Sequence, residues 1–150
     1  MKLDELLKEE LIFLDVQIPG KMELIDLLAD KMSSDPGVVD LERFKSDLVQ
    51  RENNIPTGLE HGCAIPHARS NGVSRLVLAF ARTTEGIDFG AQDGEPARLI
   101  FQFGIPPDQI SIYLKILAKL SRLLKKASIR KSLLNAEDPR QIIELLAEKC

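Results

Sequence analysis

The sequence of 150 residues has no tryptophan, a single tyrosine, two cysteines and two histidines. Two cysteines, Cys63 and Cys150, imply no disulfide framework of the kind that holds small secreted domains together. No apolar run approaches the roughly 20 residues that a membrane-spanning helix needs. The first residues, MKLDELLKEE, are too acidic for a signal peptide. We therefore expect a cytoplasmic protein with no direct membrane insertion.

Neither sign of charge predominates, because the 20 Lys and Arg residues nearly balance the 23 Asp and Glu residues, and the net charge is −3. This balance provides no general attraction to nucleic acid, which is not expected as a partner. The densest basic group has the spacing of a solvated helix face, with a basic docking patch as the alternative: Arg122, Lys125, Lys126, Arg130 and Lys131. A composition that is 44% hydrophobic and 29% charged is typical of a globular protein. We expect one domain over residues 1–150.

Apolar spacing predicts several elements in the first fifty residues. They are a helix over 2–9, a strand over Ile12–Val16, a helix from Lys21 that ends within 33–37, and a helix capped by Asp40. The last helix should turn Leu41, Phe44, Leu48 and Val49 toward the core.

The segment 51–74 changes character, since it is rich in Gly, Pro, Asn and His and shows little periodicity. We predict a functional loop there, because such long connections are rarely idle in a compact domain. Strands are expected over 76–81 and 99–103, with Asp93-Gly94 as a tight hairpin turn between them.

The C-terminal third has the pattern of helices. A broad apolar stripe is formed by Ile112, Leu114, Ile116, Leu117, Leu120, Leu123 and Leu124. A short helix around Ile129 follows, and Asp138 and Pro139 are the cap and first residue of a last one. The element pattern predicts an α/β domain in which helices cover a sheet.

His67 is the candidate nucleophile. Pro66 has a fixed φ and biases Ile65 toward extended backbone, while the small Ala68 leaves the imidazole uncrowded. A nucleophilic histidine needs this fixed direction, open access and a neutral nitrogen. A purely structural histidine is the alternative.

Residues near His67 in sequence have the chemistry of a phosphate site. Arg51 is permanently charged and presents a planar fork of donors suited to phosphate oxygens. Thr57 adds a hydroxyl, and Gly58 a permissive backbone whose N–H groups can be aimed at an anion. We predict that Arg51, Thr57 and Gly58 bind phosphate.

A zinc site is an alternative interpretation of His61, Cys63 and His67, which have the same parity along a strand. In a strand the two histidines would be about 20 Å apart at ~3.3 Å per residue, whereas zinc ligands lie ~2 Å from the metal. We expect neither a metal nor a cofactor.

Three segments resemble a known family. The first resembles the phosphorylation-site signature of enzyme IIA of the phosphotransferase system, in its fructose/mannitol/nitrogen-regulatory (type-2) class. This signature is similar to Arg51-Glu52, Thr57-Gly58-Leu59 and the run from His61 to Ala68. The segments 88–96 and 114–124 extend the resemblance over nearly the whole chain. It implies a three-layer α/β sandwich, with a small mixed β-sheet flanked by helices on both faces.

The resemblance also implies a function. His67 would accept a phosphoryl group from the phosphocarrier protein HPr or an HPr-like counterpart, and Arg51 would bind that group. The phosphoryl group would pass to a IIB domain of a permease or serve as a signal to a regulatory target protein, with a nitrogen-regulatory role favoured. The alternative is a non-catalytic regulatory protein-binding module with the IIA fold.

Three positions depart from the family pattern: Glu60 replaces a small residue, Cys63 an aliphatic one, and Tyr113 the second active-site histidine. A phenol donates a hydrogen bond to a phosphoryl oxygen but stays neutral at pH 7. Tyr113 is therefore expected either beside His67 or as an ordinary helix residue. His61 is expected either to donate a hydrogen bond that orients the His67 ring or to be a solvated loop residue.

Overall fold

The computed structural model describes residues 1–147, and Cys150 lies outside this range. The described elements are α1 (Leu3–Leu6), β1 (Ile12–Val16), α2 (Lys21–Met32), α3 (Leu41–Asn54), β2 (Gly58–Leu59), β3 (Cys63–Ala64), β4 (His67–Arg69), β5 (Val77–Ile87), β6 (Ala97–Ile105), α4 (Ile110–Leu124), α5 (Ala127–Asn135) and α6 (Pro139–Leu146). The predicted helix over 2–9 is shorter in the structure, because Leu7 is extended and a separate 3-10 turn covers Glu9–Leu11.

The strands form one mixed sheet in the order β1-β5-β6-β3-β2, with β4 also paired to β6. Strands β3 and β4 run parallel to β6, whereas β5 runs antiparallel to it. Successive side chains of β5 point to opposite faces, so Leu78 and Phe80 lie in one core and Val77 and Ala79 in the other. Both faces are buried, as the unbroken apolar strands indicate.

Helices cover each face of this sheet. Residues of α1, α4, α5 and α6 share one core with the sheet, and residues of α2 and α3 share the other. The three-layer α/β prediction is confirmed. Among the described helices, none is long and apolar enough to cross a bilayer.

Two predicted helix starts are confirmed by their caps. The Asp40 carboxylate accepts a hydrogen bond from the Arg43 N–H at 3.2 Å, and the Asp138 carboxylate accepts one from the Gln141 N–H at 3.0 Å. Pro139 is the first residue of α6, where its missing N–H costs nothing.

The predicted loop over 51–74 is wrong in its extent. Helix α3 continues to Asn54, and three short strands, β2 to β4, occupy much of the remainder. Polar side chains mask the helical spacing at the end of α3, where Glu52 follows Phe44 and Leu48 on the buried face.

The predicted Asp93-Gly94 hairpin is replaced by a longer connection over 88–96. Its turn is closed by a hydrogen bond from the Gly94 N–H to the Ala91 carbonyl at 3.0 Å, with Gly94 at φ +72°. Asp93 and Gly94 therefore complete a four-residue turn at the tip of this connection.

Three residues expected in the core are exposed: Val49 by 40%, Ile112 by 40% and Leu114 by 55%. Each lies beside buried positions of its helix, so the apolar stripe is narrower than its sequence pattern suggests.

Strands β3 and β4 are two parts of one interrupted strand. Cys63 pairs with Leu99, and His67 pairs with Phe103, so the register against β6 is the same on either side of Ile65 and Pro66. Pro66 has no N–H for the ladder. The interruption frees the Ile65 peptide for other partners.

Candidate functional site

His67 begins β4 and is half-buried on the sheet face that α4 covers. Its Nδ1 lies 2.8 Å from the carbonyl oxygen of Ile65. Since a carbonyl can only accept, Nδ1 must carry the proton and donate it. The lone pair of the neutral ring is therefore on Nε2.

The surroundings of His67 favour the neutral ring. Burial lowers the pKa of His67 below its usual value of 6.5. The hydrogen bond to Ile65 raises the pKa, and the positive charge of Arg51 lowers it further. Glu52 exerts a smaller upward effect. The imidazole is thus neutral at neutral pH, which is the form in which a histidine can act as a nucleophile.

His67 opens into a small cavity of about 190 Å³. Elements distant in sequence meet there, since α3, β2, β4 and α4 all contribute to its wall. The lining residues are Arg51, Pro56, Thr57, Gly58, Leu59, Ile65, His67, Tyr113 and Leu117.

Arg51 lies in the last turn of α3 and is half-buried. Its Nη1 donates a hydrogen bond to the Ile55 carbonyl at 2.8 Å, which holds the guanidinium against the end of the helix. It makes no other side-chain hydrogen bond within residues 1–147, so most of its five N–H donors are available to an anion in the cavity.

Thr57 and Gly58 line the cavity, but their donors are engaged elsewhere. The Thr57 N–H and hydroxyl both donate to the Glu52 carboxylate, at 2.9 and 2.6 Å. The Gly58 N–H donates to the Phe89 carbonyl at 3.1 Å. Both residues shape the cavity wall, and their binding of phosphate stays a prediction.

His61 is exposed and forms no hydrogen bond with His67 in the described residues, which agrees with the alternative of a solvated loop residue. Its N–H donates to the Asp93 carboxylate at 2.9 Å, and its ring lies 3.8 Å from the Glu60 carboxylate. It lines a separate cavity of about 280 Å³ beside Ser121 and Lys125. The Nδ1 of His67 is instead held by Ile65.

Tyr113 lies beside His67. The ring centroids are 5.6 Å apart, and the Tyr113 ring packs edge-on against Phe103 at 5.1 Å. Its hydroxyl is buried without a hydrogen-bond partner in the part of the chain that the structure describes. Burial raises the pKa of Tyr113 to about 12, so the phenol stays protonated.

The structural role of Glu52 was not predicted from the sequence. It is 2% exposed, and its carboxylate also forms an ion pair with the Lys21 ammonium at 3.2 Å. Its spacing from Phe44 and Leu48 was the available signal, since an acid on the apolar face of a helix must find partners.

Cys63 is 1% exposed in β3, as expected for a small apolar residue, and burial raises its pKa to about 11. A protonated thiol is a poor metal ligand. Across residues 1–147, no group of three His, Cys, Asp or Glu side chains is arranged to hold a metal ion.

Comparison with known proteins gives consistent matches. Residues 5–149 match the family model described as "Phosphoenolpyruvate-dependent sugar phosphotransferase system, EIIA 2". A fructose-specific EIIA component of Haloferax volcanii is 40% identical over 140 residues, which cover 93% of this chain and 90% of that protein.

Two further relatives place these matches in context. The fructose-specific EIIABC component of Bacillus subtilis is 34% identical over 97% of this chain, which spans only 23% of that protein's length. The crystal structure of nitrogen regulatory protein IIA-Ntr from Neisseria meningitidis superposes with a TM-score of 0.90 at 31% identity, covering 96% of this chain and 98% of that one.

Proposed function

Because the chain belongs to the EIIA 2 family of the phosphoenolpyruvate-dependent sugar phosphotransferase system, we propose that it is a phosphohistidine carrier with His67 as the acceptor. The observation that carries this proposal is the fixed His67 ring: Nδ1 keeps its proton and donates it in a hydrogen bond to the Ile65 carbonyl, which leaves the lone pair of Nε2 as the nucleophile. Arg51 and Tyr113 line the same cavity, and the Tyr113 hydroxyl has no hydrogen-bond partner among residues 1–147.

The chemistry is an in-line displacement. The Nε2 lone pair attacks the phosphorus of a phosphohistidine on the donor protein, the donor N–P bond breaks, and the donor imidazole leaves with that electron pair. Positioning and charge stabilisation account for most of the catalysis of such transfers. Arg51 stabilises the charge on the phosphoryl oxygens, and Tyr113 donates a hydrogen bond to one of them. The reverse chemistry toward the next acceptor restores the neutral His67.

The size of the cavity favours a protein as phosphoryl donor. Small-molecule sites usually enclose roughly 300–1,000 Å³, whereas this cavity of about 190 Å³ suits a single phosphoryl group. We propose an HPr-like phosphocarrier protein as the donor.

Exposed apolar side chains near the site suit protein docking. Ile55, 63% exposed, follows the end of α3, and the exposed Ile112 and Leu114 flank Tyr113 on α4. Exposed aliphatic groups around a polar centre are typical of surfaces that bind other proteins. A IIB domain of a permease or a regulatory target protein is proposed as the onward partner.

A regulatory protein-binding module without phosphotransfer is the second candidate. Tyr113 favours it, because a neutral phenol supplies less charge stabilisation beside His67 than an imidazolium would. Such a module would keep the same docking surface.

The test is reconstitution with phosphoenolpyruvate, enzyme I and HPr, followed by intact mass spectrometry and peptide mapping at neutral pH. We expect one added phosphoryl group, on His67, that depends on all three components. If HPr becomes phosphorylated while this protein does not, the carrier function is wrong and the binding module is supported.

A further inference from the structure

Glu52 is a buried charged side chain at the edge of the site, and it does not line the cavity. Oε1 accepts the Thr57 hydroxyl, and Oε2 accepts both the Thr57 N–H and the Lys21 ammonium. Burying a carboxylate is costly unless it is paired, and hydrogen bonds to a charged group are stronger than neutral ones. Thr57 is therefore held tightly by two bonds to one carboxylate.

Hydrogen bonds continue from Thr57 to His67. The Thr57 carbonyl accepts the Ile65 N–H at 3.1 Å, and the Ile65 carbonyl accepts the Nδ1–H of His67 at 2.8 Å. Ile65 lies in the interruption between β3 and β4, so Thr57 supplies a backbone anchor at a point where the strand ladder has a gap.

We propose that Glu52 is a positioning residue that fixes the tautomer and direction of the His67 ring through Thr57 and Ile65. This inference rests on the proposed function of His67 as phosphoryl acceptor. Glu52 holds Thr57, Thr57 holds the Ile65 peptide, and the Ile65 carbonyl then keeps the proton on Nδ1. The nucleophilic lone pair stays on Nε2 before any donor protein arrives.

A purely structural role for Glu52 would have different consequences. It would lower the free energy of unfolding when the carboxylate is removed, but it would leave the His67 ring unchanged in the folded molecules. A role of Thr57 in binding phosphate would slow transfer without changing the unphosphorylated ring. The tautomer of His67 in the unphosphorylated protein therefore separates these roles.

The test combines three measurements on each full-length variant: ring ¹⁵N chemical shifts of His67 before phosphorylation, the rate of phosphoryl acceptance, and thermal unfolding. In Glu52→Ala we expect a mixture of tautomers and transfer on the order of 10-fold slower, as for other residues that orient a reacting group indirectly. Glu52→Gln retains an oxygen acceptor for the Thr57 N–H, so the Nδ1–H tautomer and most of the rate should persist.

The Glu52→Gln variant gives a further readout, because the loss of negative charge should lower the pKa of His67. Glu42, which is exposed in the first turn of α3, provides the matched control. Glu42→Ala should leave the ring shifts and the rate unchanged.

Thr57 variants decide the question if Glu52→Ala does not fold. Thr57→Val removes the hydroxyl donor to Glu52 and should shift the tautomer equilibrium and slow transfer, while Thr57→Ser should restore both. A folded Glu52→Ala, or failing that Thr57→Val, with wild-type ring shifts would overturn the proposal. The ring shifts are read before phosphorylation, so they test Glu52 even if His67 accepts no phosphate.

Discussion

The hydroxyl of Tyr113 is buried without a hydrogen-bond partner among residues 1–147, on a ring whose centroid lies 5.6 Å from that of His67. An unsatisfied buried hydroxyl costs roughly 1–3 kcal/mol. A phosphoryl group on Nε2 would bring acceptor oxygens into the cavity that both rings line. A hydrogen bond from the Tyr113 hydroxyl to one of those oxygens would offset this cost.

We predict that Tyr113→His speeds phosphoryl acceptance, because a charged hydrogen bond is roughly twice as strong as a neutral one. Tyr113→Phe, which keeps the ring and loses the donor, should slow transfer or leave it unchanged. Rapid-quench measurement of the phosphorylated fraction checks both. A histidine variant no faster than wild type would contradict the role of the phenol.

His67→Ala should abolish the acid-labile phosphate, because it removes the nucleophilic nitrogen. His61→Ala is the matched control, since His61 is exposed and lines a different cavity. That control should be labelled as fast as wild type. Radiolabelling from phosphoenolpyruvate measures the result, and label that survives in His67→Ala would disprove the assignment.

Arg51→Ala should slow transfer by on the order of 10²-fold, the usual effect of losing one charged stabiliser. Arg51→Lys should recover part of the rate, because it keeps the charge and loses the planar fork. Arg43→Ala, an exposed arginine of the same helix, is the control. A folded Arg51→Ala protein with the wild-type rate would exclude the role.

The depressed pKa of His67 predicts a pH dependence. Acceptance should stay constant as the pH falls to 6.5 and decline only below the lower pKa of the folded protein. The unfolded chain binds this proton more readily, so the stability contribution is present above pH 6.5 and is lost as the pH falls through the folded pKa. NMR titration of His67 and urea unfolding of His67→Ala check this; a His67 pKa above 6.5 would contradict it.

The layers and helix caps were predictable, because apolar spacing and capping residues act locally. The exposure of Leu114 was not, since an exposed leucine in an apolar stripe has the same chemistry as one in the core. The segment after α3 was also predicted poorly. Its conformation depends on Glu52, whose partners Lys21 and Thr57 are brought to it by folding.

Within the site, local sequence was enough to select Arg51 and His67 as residues of one cavity. The bonds from Thr57 to Glu52 were not predicted, because composition alone does not show that a carboxylate five residues earlier accepts from both Thr57 donors. His61 shares the segment with His67 but belongs to the turn that contacts Asp93.

Gly58 restricts the substitutions that one wall of the cavity can accept during evolution. A Cβ at this position would lie 2.7 Å from the Phe89 carbonyl oxygen and 2.9 Å from the Ala91 nitrogen, both main-chain atoms that no rotamer change can move aside. Even alanine would push the 88–91 backbone away from β2. A descendant with a side chain at position 58 must therefore acquire a compensating change in that neighbouring connection, so the two segments are expected to vary together.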